Sequence, residues 1–284
     1  MTFKKIKFVT DSTCDIPPEL VQKWGIGIVP AFVNYGGNSY ADDGKELIRE
    51  EFYARLPSMT ETPKTAAMPP GLAEKIITET FEGADHLFIL TAPAALSGIY
   101  NSMRLGASNL PPDRVTLIDS GTVTMALGWQ LLIGAEVAAE TGDVDKVKDA
   151  INRVRAHQKL YAGLATMEFL RRSGRVSWAL AGIGALLQIK PMLEVKDSVV
   201  LPLARVRTFG RVVQELLSLT RAQAPLDKLA ILHSNNPNGA LDMQNQLVDI
   251  APADTLIINI TTVIGTHIGP GALGVALVNK GWRA

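Results

Sequence analysis

Cysteine, net charge and long uninterrupted apolar runs are scarce in this sequence. Cys14 is the single cysteine among 284 residues, which excludes an internal disulfide and a cysteine-rich metal site. The 28 basic and 28 acidic residues cancel. The excess of positive charge that is typical of proteins that wrap nucleic acid is therefore missing, although a local basic patch is compatible with this balance.

Membrane and export signals are also weak. Residues 1–8 carry lysines but precede no apolar run, so they do not resemble a signal peptide. Of three segments without charged residues, Ser120–Ala135 and Val176–Ile189 are shorter than the roughly 18–20 residues that a membrane helix needs. Glycines and Pro270 interrupt the third, Thr255–Val278, which favours two buried strands joined by a loop. We expect a cytoplasmic protein without a membrane-spanning segment.

The order of apolar and amphipathic segments predicts the fold class. Short apolar runs alternate with helical patterns from a strand at Lys5–Thr10 to a helix ending at His157, which predicts a Rossmann-like, mainly parallel sheet with flanking helices. The second half adds a hairpin around residues 196–198, which indicates a mixed or antiparallel sheet. We therefore predict an α/β protein of two domains, residues 1–158 and 159–284.

Several local predictions are specific enough to test. One strand is expected over Gly27–Tyr35, one helix over Lys45–Leu56 and another over the apolar Val176–Leu187. Pro57–Pro70 is rich in proline, threonine and serine and is expected to be a loop. The adjacent carboxylates of Asp42–Asp43 suit a solvated loop better than a cation site.

Familiar catalytic and nucleotide-binding motifs are incomplete. Residues 269–274 match G-x-G-x-x-G as text, but only ten residues follow, too few for the second strand and acidic residue of a dinucleotide site. Ser97 lacks the glycine two positions earlier that a nucleophile elbow requires. No two histidines have helical metal-ligand spacing, so we expect no metal site.

Small polar side chains beside glycines or strand ends are the candidate functional residues. Asp11–Ser12 follow the first strand, and Ser97–Gly98 stand where a helix begins, a position that attracts anions. Thr65 offers a hydroxyl, and His267 is held between glycines and a proline. The segment Phe169–Arg175 adds a cationic cluster. Taken singly, each is equally compatible with an ordinary cap, turn or structural role.

The ordered set of these motifs resembles the DegV family of bacterial fatty-acid-binding proteins, and it covers nearly the whole chain. The matching pieces are Thr10-Asp11-Ser12, Pro63-Lys64-Thr65, the segment Leu96–Ser102, Ile118-Asp119-Ser120, the segment Phe169–Ser177, the segment Ile189–Leu193 and the segment His267–Gly274.

The resemblance implies a carrier that buries a long-chain fatty acid and needs no cofactor, with the C-terminal domain binding lipid. The carboxylate is then held by Thr65 and Ser97, with His267 nearby. An arginine of an L-x-x-G-G-R segment lies close to the head group, and Arg171 and Arg172 are the candidates here. Asp11, Ser12 and Gly98 are expected to support the site. The apolar segments Val176–Ile189 and Thr255–Ile264 suit either a tunnel wall or ordinary core.

The resemblance also implies a partner, because some family members present the acid to a separate fatty acid kinase, which makes an acyl phosphate. The sequence departs from the family pattern at Ala66-Ala67, at Ala94-Ala95 and at Ser173, so contacts around the head group are altered.

Two further hypotheses stand beside the non-catalytic carrier. In the first, the protein is a hydrolase or acyltransferase with Ser97 as nucleophile, His267 as base and Asp11 or Asp119 as its orienter. In the second, Arg171, Arg172 and Arg175 are docking charges for a partner such as the kinase.

Overall fold

The computed structural model describes residues 4–175 and 189–284. The helix expected at Val176–Leu187, and with it most of the apolar segment Val176–Ile189, lies outside the described residues. The N-terminal half contains β1 (Ile6–Asp11), α1 (Pro18–Trp24), β2 (Gly27–Val29), β3 (Phe32–Tyr35), β4 (Asn38–Ala41), α2 (Arg49–Arg55), β5 (Lys64–Ala66), α3 (Pro70–Phe81), β6 (His86–Thr91), α4 (Ile99–Gly106), β7 (Val115–Asp119), α5 (Thr124–Thr141) and α6 (Val144–His157). The C-terminal half contains β8 (Gln158–Gly163), α7 (Glu168–Ser173), β9 (Lys190–Lys196), β10 (Val199–Val206), α8 (Phe209–Arg221), β11 (Leu226–His233), α9 (Pro237–Gln246), β12 (Leu256–Asn259), α10 (Thr262–Ile268) and β13 (Leu273–Asn279).

A parallel four-stranded sheet forms the centre of the N-terminal half, as predicted. Its order is β2-β1-β6-β7, and every neighbouring pair is parallel. All six residues of β6 are buried, which is typical of a parallel strand covered on both faces. The chain leaves β1 toward one side and β6 toward the other, so the carboxyl ends of β1 and β6 flank a topological switch point.

The single strand predicted over Gly27–Tyr35 is wrong, because the segment contributes to two different sheets. β2 pairs with β1, whereas β3 pairs with β4 and β5 in a small antiparallel sheet. Pro30 stands between β2 and β3, and a proline cannot donate a backbone hydrogen bond to a continuing ladder. The predicted loop Pro57–Pro70 likewise contains β5.

The predicted helix over Lys45–Leu56 begins later, at Arg49. Asp43 does accept backbone hydrogen bonds from Lys45 and Glu46, but Gly44 has a φ of 71°, so these bonds close a turn. Asp43 is exposed, as expected for a solvated loop, whereas Asp42 is only 5% exposed, which contradicts that interpretation.

The C-terminal half is built on a mixed six-stranded sheet, which confirms the predicted sheet type. Its order is β10-β9-β8-β13-β11-β12, and only the β11–β12 pair is parallel among the described strands. The predicted hairpin joins β9 to β10 through Asp197 and Ser198. Both have positive φ, 48° and 66°, as tight antiparallel hairpins require.

The two strands expected within Thr255–Val278 are present as β12 and β13, but the connection between them is helical. α10 begins after Thr261, whose side chain accepts a hydrogen bond from the backbone of Val263. The glycines that suggested a loop have a packing role. At Gly265 an added Cβ would lie 2.1 Å from the Tyr53 hydroxyl oxygen.

One hydrophobic core connects the two halves. α5 is buried on nearly every side, because it has no charged residue before Glu136. It contacts β1 and β6 of the first sheet and β8 and β13 of the second. Trp129 on this helix donates a hydrogen bond to the carbonyl of Ala276 on β13. The boundary predicted between residues 158 and 159 falls just after the first residue of β8, and it stays a prediction.

Candidate functional site

A cavity of about 200 Å³ lies where the two sheets meet, at the switch point between β1 and β6. The loops after these strands and β5 line it from the N-terminal half, while β8, β9, β11, α10 and β13 line it from the C-terminal half. Most lining side chains are apolar. The exceptions include Thr65, Ser97, Arg175 and His267.

Thr65 and His267 meet across the cavity wall although 202 residues separate them in the sequence. Thr65 is on β5, where it pairs with Val33 of β3, and His267 is in the last turn of α10. The Thr65 Oγ1 lies 2.9 Å from the His267 Nε2, a hydrogen-bond distance. The structure therefore brings together two residues that the sequence singled out separately.

The His267 imidazole is neutral at pH 7. Burial, reinforced by the positive charge of Arg175, lowers its pKa to about 4. Its second nitrogen, Nδ1, is buried and has no hydrogen-bond partner among the described residues. A buried polar atom without a partner costs free energy, so this nitrogen is a local exception to the usual pairing of buried polar groups.

Ser97 lies two residues before the first residue of α4. Its Oγ accepts a hydrogen bond from the backbone nitrogen of Ile99 at 3.3 Å, so the local role of a helix-start contact is present. That bond uses only the oxygen, and within residues 4–175 and 189–284 no acceptor takes the hydroxyl proton, which can therefore donate to a ligand in the cavity. Gly98 also lines the cavity and adds no side chain there.

The arginine beside the cavity differs from the two that the sequence motifs suggested. Neither Arg171 nor Arg172 is among the lining residues, and Arg172 instead pairs with Glu168 at the surface. Arg175 lines the cavity because Gly174, at a φ of 65°, reverses the chain after α7. The sequence contained this signal, since Arg175 occupies the arginine position of the L-x-x-G-G-R pattern.

Asp11 and Ser12 support the cavity without lining it. The carboxylate of Asp11 is fully buried and accepts hydrogen bonds from Thr13 Oγ1 at 2.5 Å and from the backbone of Ala92 at 2.8 Å. Thr13 and Ala92 do line the cavity, so Asp11 ties two of its walls together. Ser12 donates instead to the buried Asp42.

The described residues contain no nucleophile, base and orienter in hydrogen-bonded sequence. His267 Nε2 bonds to Thr65, and no hydrogen bond links the ring to Ser97. Asp119 accepts backbone hydrogen bonds from Ala94 and Gly121, and Asp11 is occupied as described above, so neither orients the imidazole. This geometry does not support the hydrolase hypothesis.

Neither a metal-binding cluster nor a membrane-spanning helix occurs in the part of the chain that the structure describes. Residues 4–175 and 189–284 contain no group of three histidine, cysteine or acidic side chains close enough to hold a metal ion. Over the same ranges, no helix combines the length and the apolar character that crossing a bilayer requires.

Comparison with known proteins gives consistent matches over nearly the full length. A family model described as an uncharacterised protein of the DegV family matches residues 5–280. A DegV domain-containing protein of Streptomyces coelicolor is 31% identical over 286 residues, covering 98% of this chain and 99% of that protein.

Solved structures of similar proteins share the fold. A DegV family protein of Thermus thermophilus, described as fatty acid binding, is 29% identical with a TM-score of 0.89, covering 96% of this chain and 99% of the other. DegV of Bacillus subtilis, described as a fatty acid binding protein, is 26% identical with a TM-score of 0.85, covering 97% and 99%.

Proposed function

Because this chain belongs to the DegV family, we propose that it is a carrier that binds one long-chain fatty acid and releases it chemically unchanged. The apolar wall of the cavity covers the acyl chain, and Thr65 and Ser97 donate hydrogen bonds to the carboxylate. The observation that carries the proposal is the Thr65–His267 pair at the wall of an otherwise apolar cavity between the sheets.

The proposed carboxylate contacts follow from the state of His267. If the Thr65 hydroxyl donates to a carboxylate oxygen, its own oxygen must accept from His267, which places the imidazole proton on Nε2. A neutral imidazole supplies this proton without placing a full positive charge beside the carboxylate. Arg175 provides the nearby positive charge, while its Nη1 donates to the carbonyl of Ser173 at 2.7 Å.

The acyl chain supplies most of the affinity in this proposal. At about 0.8 kcal/mol per buried methylene, some fourteen methylenes give a gross gain on the order of 11 kcal/mol. The polar groups therefore orient the carboxylate. Neutral hydroxyl donors suit this task, because a bidentate arginine pair would occupy both carboxylate oxygens.

Extraction of the bound lipid tests the proposal directly. The purified protein is denatured and extracted with organic solvent, and the extract is analysed by mass spectrometry. We expect a near-stoichiometric saturated or unsaturated acid of roughly fourteen to eighteen carbons, the length that gives the gain above. An empty extract, together with no rise in melting temperature on adding palmitate, would contradict the proposal.

A double variant tests the carboxylate contacts. Thr65→Ala with Ser97→Ala removes both hydroxyl donors, and we expect palmitate affinity of delipidated protein to fall at least about tenfold, the effect of losing hydrogen bonds to a charged group. Ser108→Ala is the matched control, because the Ser108 hydroxyl is exposed and bonds to the Leu105 carbonyl outside the cavity. Equal affinities for the double variant and this control would refute the assigned contacts.

We also propose that the bound acid is handed to a separate fatty acid kinase, as the family resemblance implies. The half-buried state of Ser97 supports this, because a carboxylate at that position stays close to the surface. Loaded protein is incubated with a purified bacterial fatty acid kinase and ATP, and acyl phosphate is trapped with hydroxylamine. Acyl phosphate formation from free palmitate at the same rate would refute the carrier step.

A further inference from the structure

A second polar cluster lies at the opposite end of α10 from His267. Four side chains form it, Ser12, Asp42, Tyr53 and Thr262, and all four are at least nine-tenths buried. The first three belong to the N-terminal half, and Thr262 is the first residue of α10. We call this group the α10 clamp, because it joins the beginning of that helix to the other half of the molecule.

Asp42 is the centre of the clamp. One carboxylate oxygen accepts two hydrogen bonds from Thr262, from its hydroxyl at 2.7 Å and from its backbone nitrogen at 3.2 Å. The other oxygen accepts from the Ser12 hydroxyl at 2.8 Å, and Ser12 in turn accepts from the backbone of Ala31 at 3.2 Å. A residue 220 positions away in sequence thus caps α10 from the other half.

Tyr53 fixes the same segment from α2. Its hydroxyl lies 3.1 Å from the carbonyls of both Ile260 and Thr261, to which it donates. Its ring also presses on the helix at Gly265, where no Cβ would fit. α10 is therefore held in both position and rotation at its N-terminal end.

Charged neighbours reinforce this junction. Arg49 donates to the backbone carbonyl of Asn259 and lies 3.4 Å from the buried carboxylate of Asp15. Glu50 accepts from the side chain of Asn259 at 2.9 Å. Asn259, the last residue of β12, is thus held by α2, and Thr262, the first residue of α10, is held by the loop after β4.

The clamp sets the position of His267 at the other end of α10. From Thr262 to His267 the helix rises about 7.5 Å, at 1.5 Å per residue, and a helix this short does not bend appreciably. Thr65, the partner of His267, is on β5 in the same small sheet as β4, which Asp42 directly follows. The 2.9 Å contact between Thr65 and His267 therefore depends on how α10 docks against the N-terminal half.

We propose that Asp42 is a positioning residue for carboxylate recognition, acting through α10 and His267 without touching the ligand. The inference rests on the function proposed above. Removing the Asp42 carboxylate frees the beginning of α10 and loosens the Thr65–His267 contact, so recognition of the ligand head weakens more than burial of its tail.

Paired ligands distinguish positioning from general stability. Palmitic acid and 1-hexadecanol share one sixteen-carbon chain and differ only in the head group. A clamp that merely stabilised the fold would change the affinities of both equally. We therefore measure the ratio of palmitate to hexadecanol affinity by calorimetry on delipidated protein.

Asp42→Ala is expected to lower this ratio about tenfold. Asp42→Asn is expected to keep most of it, because the amide oxygen still accepts both bonds from Thr262. The control Asp43→Ala alters an exposed neighbour and is expected to leave the ratio unchanged. A folded Asp42→Ala variant with the wild-type ratio would overturn the inference.

If Asp42→Ala fails to fold, Tyr53→Phe tests the inference instead, because this variant loses a single hydroxyl and keeps the ring. We expect it to lower the ratio, and an unchanged ratio in Tyr53→Phe would likewise overturn the inference. Failure of wild-type protein to bind palmitate would refute the proposed function itself, so the two failures are distinguishable.

Discussion

The two ends of α10 carry polar groups of opposite character. At the N-terminal end, both Asp42 oxygens and the Tyr53 hydroxyl have hydrogen-bond partners within the protein. At the C-terminal end, His267 Nδ1 has none among the described residues. Satisfied polar groups hold the N-terminal end of this helix in place, whereas its C-terminal end keeps a buried ring nitrogen without a partner among the described residues.

Adding a methyl group at Gly265 in α10 should produce the largest loss of stability among the variants considered below. Gly265→Ala would place a Cβ 2.1 Å from the Tyr53 hydroxyl, so we expect a loss of about 3 kcal/mol or more in urea unfolding. Gly71→Ala, in α3, is the matched control, because an added Cβ there meets nothing within 4 Å. Similar stabilities for the two variants would show that the clamp end tolerates movement.

The two ends should respond to pH in opposite directions. Burial lowers the pKa of His267 from 6.5 to about 4, so the unfolded chain binds a proton first and stability falls as pH drops from 6.5 toward 4. Burial raises the pKa of Asp15, beside the clamp, from 3.8 to about 8, so stability falls as pH rises across that interval.

Urea unfolding of delipidated protein across this pH range measures both slopes. His267→Gln should flatten the acid side, by up to about 3 kcal/mol between pH 6.5 and 4. Asp15→Asn should flatten the alkaline side. An unchanged acid-side slope in His267→Gln would show that the pKa of this imidazole is not lowered in the folded protein.

A pair of threonine-to-valine changes should separate stability from binding. Thr262→Val removes a hydrogen bond to the buried Asp42 carboxylate, and we expect a loss of about 2 kcal/mol in stability. Thr65→Val removes a bond between neutral groups at the half-buried cavity wall, with an expected loss below about 1 kcal/mol. Palmitate affinity should fall more in Thr65→Val than in Thr262→Val. A larger loss of stability in Thr65→Val than in Thr262→Val would contradict the comparison.

Local patterns and family motifs predicted much of this structure. The alternation of apolar runs gave the parallel sheet, and the motif order named Thr65, Ser97 and His267, which line one cavity. Pro30 was a sequence signal for the break between β2 and β3. The L-x-x-G-G-R pattern likewise indicated Arg175 as its arginine.

Other features depend on contacts that no local pattern contains. Asp42 looks like a surface carboxylate beside Asp43 until the fold brings Thr262 to it across 220 residues. Gly265 looks like a loop glycine, because nothing near it in sequence reveals that Tyr53 fills the space of its Cβ. Asp42 is part of the clamp and Gly265 packs against its Tyr53, so the sequence indicated the cavity-lining Thr65, Ser97 and His267 better than the groups that hold α10 in place.

The burial of α5 has a consequence for how the molecule comes apart. Because this helix contacts both sheets, neither half can lose its structure without exposing apolar surface of the other. The two halves should therefore melt in one cooperative transition, with calorimetric and van't Hoff enthalpies that agree. A ligand in the cavity between them would then raise the melting temperature of the whole chain, since there is no separate unit for it to protect.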